Sequence, residues 1–227
     1  MPTFNKDGIK VVQVENPDEC EDFAKNFLYE NMDAKTVLFL SGGKTPKSLY
    51  DQILIENKLK AGAFAMIDER YGDVGHEKSN ALMMKYFSPL YPILTGASLE
   101  ETSAQYDETL RYLFNNFPKS LGILGIGFDG HTAGIPAIPK ITEKILDERN
   151  SLVTFYDASD GFYDQRITMT FAGLSKLDQI LIMAFGEDKK EALGKMFKDG
   201  PITEVPARFY LQPEISKKTI LITDQKI

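Results

Sequence analysis

Residues 120–133 read SLGILGIGFDGHTA, and the architecture can be read outward from them. Leu121, Ile123, Leu124 and Ile126 form a short apolar run that stops at Gly127-Phe128-Asp129-Gly130-His131-Thr132. An apolar run of this length, bounded by glycines, reads as a buried strand. Gly125 and Gly127 permit a tight turn or close approach to a ligand, and Asp129-Gly130 is a turn signal. His131 therefore falls just past the carboxyl end of a central strand, where open α/β sheets bind their ligands. Because histidine titrates near neutral pH, this position favours a functional histidine over one hydrogen-bonded in a structural turn.

Upstream, residues 36–40, TVLFL, form an unbroken apolar run that reads as a buried parallel strand. It ends in Ser41-Gly42-Gly43-Lys44-Thr45-Pro46. Thr45 suits a helix N-cap and Pro46 the first helical position. A strand, a glycine turn and a helix N-terminus together present converging N–H groups and a partial positive charge to an anion. Lys44 adds a full charge. The letters GKT do not make a P-loop, since the glycine required five positions before Gly43 is Leu38. An ordinary βα turn is the alternative at this position.

A third run, residues 63–67, leads into Asp68-Glu69-Arg70 and the polar loop YGDVGHEKSN. Ser79 suits the cap of a following helix, with Leu82, Met83 and Phe87 inward. His76 reads as exposed or locally bonded. With Asp73 and Glu77 it forms only a loose metal set, with neither helical spacing nor a second histidine nearby. Residues 9–14 read as a strand before a helix opened by Asn16-Pro17. Residues 88–101 read as a connector and 105–117 as an amphipathic helix. Residues 135–140 read as loop and 157–165 as a polar, aromatic loop. Residues 152–156, 166–171, 179–185 and 219–223 read as strands. The run 179–185 ends in Gly186-Glu187-Asp188-Lys189-Lys190, and a helix follows. A lysine in a first helical turn opposes the dipole unless an anion neutralises it or it points to water.

At 227 residues the chain can bury one full core, so a single domain over 1–227 is expected. The net charge of −7, with no basic tail, argues against nucleic acid as a partner. One cysteine, Cys20, excludes disulfide scaffolds and cysteine-rich metal sites. The first ten residues, MPTFNKDGIK, lack the apolar core of a signal peptide, and no segment has the ~18 apolar residues of a membrane span. The expected location is the cytoplasm, with no membrane partner. Strands alternating with amphipathic helices indicate a three-layer α/β/α sandwich on a mostly parallel sheet.

In such a sheet the polar strand ends at residues 41–45, 68–70, 129–131 and at Lys189 gather on one edge. A phosphate cradle, cations, a carboxylate and a histidine suit acid–base chemistry on a phosphorylated small molecule. No metal set, GxSxG or cysteine nucleophile accompanies them.

The motifs SGGKTPKSLY, DERYGDVGHEKSN, LGIGFDGHTA, RITMTF and GEDKKEAL occur in this order. Together they resemble the 6-phosphogluconolactonase family, within the larger group of glucosamine-6-phosphate deaminase/isomerase-like proteins. The resemblance covers about residues 36–193. It implies a Rossmann-like sugar-phosphate isomerase/deaminase-like fold and hydrolysis of 6-phospho-D-glucono-1,5-lactone in the pentose phosphate pathway. It implies no cofactor, and the chain is expected to act as a monomer or homodimer.

By the same resemblance, Ser41, Gly42, Gly43 and Thr45 match the phosphate-proximal loop, which Lys44 joins. Arg166 and Lys189 are expected on the phosphate, and Arg70 near the reacting end. His131 matches the family's general base, with Asp129 and Gly130 in the same motif. Asp68 matches an aspartate that is catalytic in the deaminase branch and orienting in the lactonase branch. Two departures stand out. The lactonase pattern continues as GHTASLFPG, whereas this chain reads GHTAGIPAI, and Gly72-Asp73 replace an apolar residue and a proline after DER. The alternatives are a deaminase or ketol isomerase, and a non-catalytic sugar-phosphate-binding protein. The deaminase pattern resembles GHIAFNEP, and residues 132–139 of this chain contain no acid.

Overall fold

The computed structural model describes residues 1–158 and 163–227. Its main sheet is built from β1 (Thr3–Lys6), β2 (Ile9–Gln13), β3 (Thr36–Leu40), β4 (Ala63–Met66), β6 (Leu90–Tyr91), β7 (Lys119–Gly125), β10 (Gln179–Met183) and β11 (Thr219–Thr223). Their order across the sheet is β1-β2-β11-β10-β7-β3-β4-β6. Every pairing is parallel except the β1–β2 hairpin. A second, antiparallel sheet has the order β5-β9-β8, formed by β5 (Asp68–Arg70), β9 (Gln165–Met169) and β8 (Val153–Asp157).

The helices are α1 (Pro17–Asn31), α2 (Lys44–Glu56), α3 (Ala81–Met84), α4 (Leu99–Asn116), α5 (Pro139–Asp147), α6 (Phe171–Ser175), α7 (Lys189–Met196) and α8 (Pro213–Ser216), with a 3-10 turn at Pro206–Leu211. All residues of β3 and β4 are buried, as expected for parallel strands covered on both faces. The chain steps outward from β3 to β4 and β6 in one direction, and from β7 to β10 and β11 in the other. Right-handed crossovers then place α1 and α2 on one face and α4 on the opposite one. Glu21 of α1 accepts bonds from Ser48 and Gln52 of α2 at 2.8 and 2.6 Å. Across the sheet, Phe114 of α4 stacks on Phe39 of β3 with centroids 5.2 Å apart. The fold is therefore a mostly parallel α/β sheet flanked by helices, as the sequence indicates.

The reversal of direction between the neighbours β3 and β7 is a topological switch point, the place where open α/β sheets leave a crevice beyond their carboxyl ends. The loops following these two strands carry residues 41–45 and 125–135.

Several elements differ from the sequence reading. α2 begins at Lys44, with Gly43 as N-cap, so Thr45 is not the cap and Pro46 is the third helical residue. Proline is tolerated there because first-turn N–H groups have no intrahelical acceptor. α4 begins at Leu99, inside the expected connector, under a reciprocal Ser98–Glu101 capping box. α5 starts at Pro139, within the expected loop. Phe171 opens α6 rather than closing a strand, because Thr170 caps that helix through Gly173 N–H. Of the loop read at 157–165, residues 159–162 lie outside the described residues.

The largest difference is at Asp68-Glu69-Arg70, which is itself a strand of the second sheet. Ile67 is the joint between the sheets. Its N–H donates to Leu40 O of the main sheet, and its carbonyl accepts from Met169 N–H of the second. Tyr106 of α4 serves the departing strand, because its hydroxyl accepts from Met66 N–H and donates to Met66 O, each at 2.7 Å.

Candidate active site

β5 pairs with β9 so that Asp68 lies opposite Thr168 and Arg70 opposite Arg166. Side chains two apart on a strand share a face, as do directly opposed residues. Asp68, Arg70 and Arg166 therefore project together, and Glu69 projects the other way. Glu69 is fully buried, and its carboxylate accepts from Arg70 N–H, Asn80 N–H, Ala81 N–H and the Ser79 hydroxyl at 2.7–3.0 Å. It anchors the 79–81 turn to β5. The acid pair noted in the sequence thus divides into one cleft carboxylate and one structural one.

Asn80 is buried and joins the cleft residues to one another. Its Nδ2 donates to the Asp68 carbonyl and carboxylate at 3.0 and 3.2 Å, and its Oδ1 accepts from Arg70 at 3.3 Å. A Cβ on Gly42 would lie 2.1 Å from Asn80 Oδ1, so the glycine loop rests directly on this amide. Sequence reasoning did not single out Asn80. Its only signal was membership of the quoted run DERYGDVGHEKSN, since all its partners are distant in sequence.

The loop after β7 presents His131. The Asp129 carboxylate accepts from His131 N–H at 3.0 Å and lies 2.6 Å from ring Nδ1. Partial burial tends to raise the Asp129 pKa, but the His131 N–H bond and the imidazole's charge and ring bond outweigh it and hold the carboxylate below its usual range. An ionised carboxylate at Nδ1 fixes the proton there. That leaves Nε2 with its lone pair and no protein partner among the described residues. The imidazole lies over Gly127, where a Cβ would meet the ring at 1.9 Å, so any side chain at 127 would displace the ring. At the far end of the loop Gly134 has φ +70° and packs on the Asp68 side chain.

Asp68 is half-buried, and its pKa is raised to about 6 by desolvation first and by neighbouring Glu69 second, against the opposing charges of Arg70 and His131.

On the other side stand the loop after β3 and the start of α7. The Tyr50 hydroxyl donates to Ser41 O at 3.0 Å, which holds the turn. Ser41 Oγ is buried without a hydrogen-bond partner among the described residues. α2 has no side-chain cap and no acid in its first turn. Lys189 opens α7, where Asp188 Oδ2 pairs with it at 3.0 Å.

These residues line one cleft of about 800 Å3 at the switch point. Ser41, Gly42, Gly43, Lys44, Thr45, Asp68, Arg70, Asp129, His131, Arg166 and Lys189 all reach its wall. Of the residues expected from sequence, Gly130 alone is not on the wall. Asn80, Tyr156 and Phe185 join the lining without having been anticipated. His76 is elsewhere, buried and locally bonded. Among the described residues no three His, Cys, Asp or Glu side chains are grouped to hold a metal. No helix among them is long and apolar enough to cross a membrane.

A family profile described as glucosamine-6-phosphate isomerases/6-phosphogluconolactonase matches residues 18–220. This chain belongs to that family. The 6-phosphogluconolactonase of Thermotoga maritima is 30% identical over 186 residues, 77% of this chain and 79% of that protein. Within the same family, a glucosamine-6-phosphate deaminase of Lactococcus lactis subsp. cremoris is 28% identical over 221 residues, 88% of this chain and 90% of its own. The solved 6-phosphogluconolactonase of Plasmodium vivax superposes with a TM-score of 0.80 at 20% identity, covering 97% of this chain and 92% of that one. At that identity the likeness speaks for the fold.

Proposed function

We propose that this protein hydrolyses 6-phospho-D-glucono-1,5-lactone to 6-phosphogluconate, with His131 as general base. The observation that carries the reading is the Asp129-bound His131, whose ring lines the same cleft as Arg70, Arg166 and Lys189. Arg70 and Arg166 are directly opposed across the strand pair and both line the cleft, so two positive charges face an anion there. The uncapped α2 terminus and the unsatisfied Ser41 hydroxyl point to the same ligand class.

In this mechanism the substrate phosphate is held by residues 41–45, Arg166 and Lys189. His131 Nε2 takes a proton from water as the water oxygen attacks the lactone carbonyl. Asp129 stabilises the imidazolium that forms. Arg70, or N–H groups of the glycine turns, meets the tetrahedral oxyanion. Collapse breaks the bond to the ring oxygen, which receives the proton back from His131. General-base assistance contributes ~10²–10⁴-fold, and anchoring by the phosphate supplies orientation.

The test is NMR of freshly prepared lactone with and without protein, since the lactone also hydrolyses spontaneously. A rate above background is expected, and no excess rate would remove the proposal. A second reading, deamination of glucosamine 6-phosphate, is favoured by Asp68, whose pKa near 6 suits a proton shuttle. The absence of acids from residues 132–139 weighs against it. Ammonia release from that substrate would establish it, and saturable sugar-phosphate binding without turnover would mark a non-catalytic binder.

A further inference from the structure

The two residues flanking His131 are both tied to one segment some eighty positions downstream. On one side, the Gly130 carbonyl accepts from Ala207 N–H at 3.0 Å. Gly130 also packs on Val205, whose Cγ1 lies 2.6 Å from where a Cβ would stand. On the other side, Thr132 Oγ1 lies 2.8 Å from the Tyr210 hydroxyl. Thr132 spends its single hydroxyl proton on Gly125 O at 2.7 Å, so at Thr132 the oxygen must accept and Tyr210 must donate. Burial pushes the Tyr210 hydroxyl above its ordinary pKa, which keeps it a donor. A directed chain runs from Tyr210 O–H through Thr132 O–H to the carbonyl that ends β7. Tyr210 and Thr132 are both essentially fully buried. Phe209, beside Tyr210, packs on Phe171 with centroids 5.0 Å apart, so the segment rests on the core.

We propose that residues 205–210 are a clasp that positions His131, with Tyr210 as a positioning residue for the chemistry at that imidazole. The proposal rests on the lactonase reading for its kinetic consequence only. Its structural consequence, the placement of the His131 ring, stands apart from any activity. A hydrogen-bonded clasp on each neighbour fixes the backbone from which the ring projects, and a small misplacement of a reacting group costs up to about 10²-fold in rate.

The test is Tyr210→Phe, which keeps the buried ring and removes only the donor, with Tyr29→Phe as control. Tyr29 also bears a hydrogen-bonded hydroxyl, to Glu56 between α1 and α2, away from the cleft. The expected result for Tyr210→Phe is kcat on the lactone lowered about tenfold, KM within about twofold of the parent, and a displaced His131 Cε1–H resonance. Tyr29→Phe should change neither kcat nor that resonance. Thr132→Val breaks both bonds of the chain, and adding Tyr210→Phe to it should produce no further loss. An unmoved His131 resonance in folded Tyr210→Phe overturns the clasp, as does a kcat loss equal to that of the control. If the parent protein shows no lactone turnover, the lactonase reading fails, and the resonance alone then decides the clasp.

Discussion

His76 and His131 carry the same imidazole in opposite circumstances. His76 is buried and uses both ring nitrogens, with Nε2 3.0 Å from Arg70 O and Nδ1 accepting from Lys78 N–H at 3.2 Å. Its ring stacks on Tyr163 at 4.0 Å. A carbonyl at Nε2 and an N–H at Nδ1 assign one neutral tautomer, so His76 has no lone pair to offer. His131 is fixed through one nitrogen only, and by a carboxylate. Its side chain is 44% exposed, and Nε2 is left to the cleft. On the proposed mechanism, this contrast is what separates a catalytic histidine from a structural one. Both are held in place, but only His131 is held in a way that leaves a ring nitrogen unspent.

The largest effect expected from this contrast is at His131 itself. His131→Ala should lower lactone hydrolysis by ~10²–10⁴-fold with the urea midpoint nearly unchanged, because the side chain is half-exposed. Next comes Asp129→Asn. An amide can donate to Nδ1 and stabilise the wrong tautomer, so a kcat loss on the order of 10²-fold is expected. If Asp129→Asn retained full kcat, the carboxylate would have no role in setting the base, and the contrast with His76 would lose its physical cause.

Asp68 sharpens the comparison from the side of stability. Its pKa rises from 3.8 to about 6 on folding, so between these values the folded state binds more protons than the unfolded one. Stability then falls as pH rises through that window, and the penalty is fully present above pH 6. Asp68→Asn should therefore unfold at higher urea than the parent at pH 7, by up to about 3 kcal/mol, and equal it near pH 3.5. The smallest effect on catalysis is expected at His76. His76→Gln should keep kcat within about threefold while losing about 1–2 kcal/mol of stability from the buried bonds to Arg70 O and Lys78 N–H. A large kcat loss in a stably folded His76→Gln would erase the distinction between the two rings.

How much of this was legible in the sequence follows from the range of each signal. The main strands β3, β4, β7, β10 and β11 are continuous apolar runs because both faces are covered, and such runs announce themselves. The Asn16 cap, which accepts from Glu19 N–H at 3.0 Å, is equally local. In the second sheet β8 and β9 were legible as strands, but β5 and the separation of the three from the main sheet were not. β5 is three residues of charge, Asp68-Glu69-Arg70, and it is a strand only because Arg166 and its neighbours arrive from a distant part of the chain. For the same reason the separate fates of Asp68 and Glu69 could not be read. Asn80 has no local pattern at all, and its role is written in bonds to Asp68 and Arg70 and in its packing against Gly42. The glycines before His131 were read for a tight turn or a close approach to a ligand, and what Gly127 meets is the chain's own imidazole, a contact that local spacing does not announce.

The central claim is that an imidazole with one nitrogen fixed by Asp129 and the other left to the cleft is the base for lactone hydrolysis. Its most direct test is the initial rate of lactone hydrolysis, corrected for spontaneous loss, measured side by side for the parent protein, His131→Ala and His76→Gln. The account predicts a rate well above background for the parent and for His76→Gln, and background alone or nearly so for His131→Ala. A His131→Ala protein that hydrolyses the lactone as fast as the parent would contradict it.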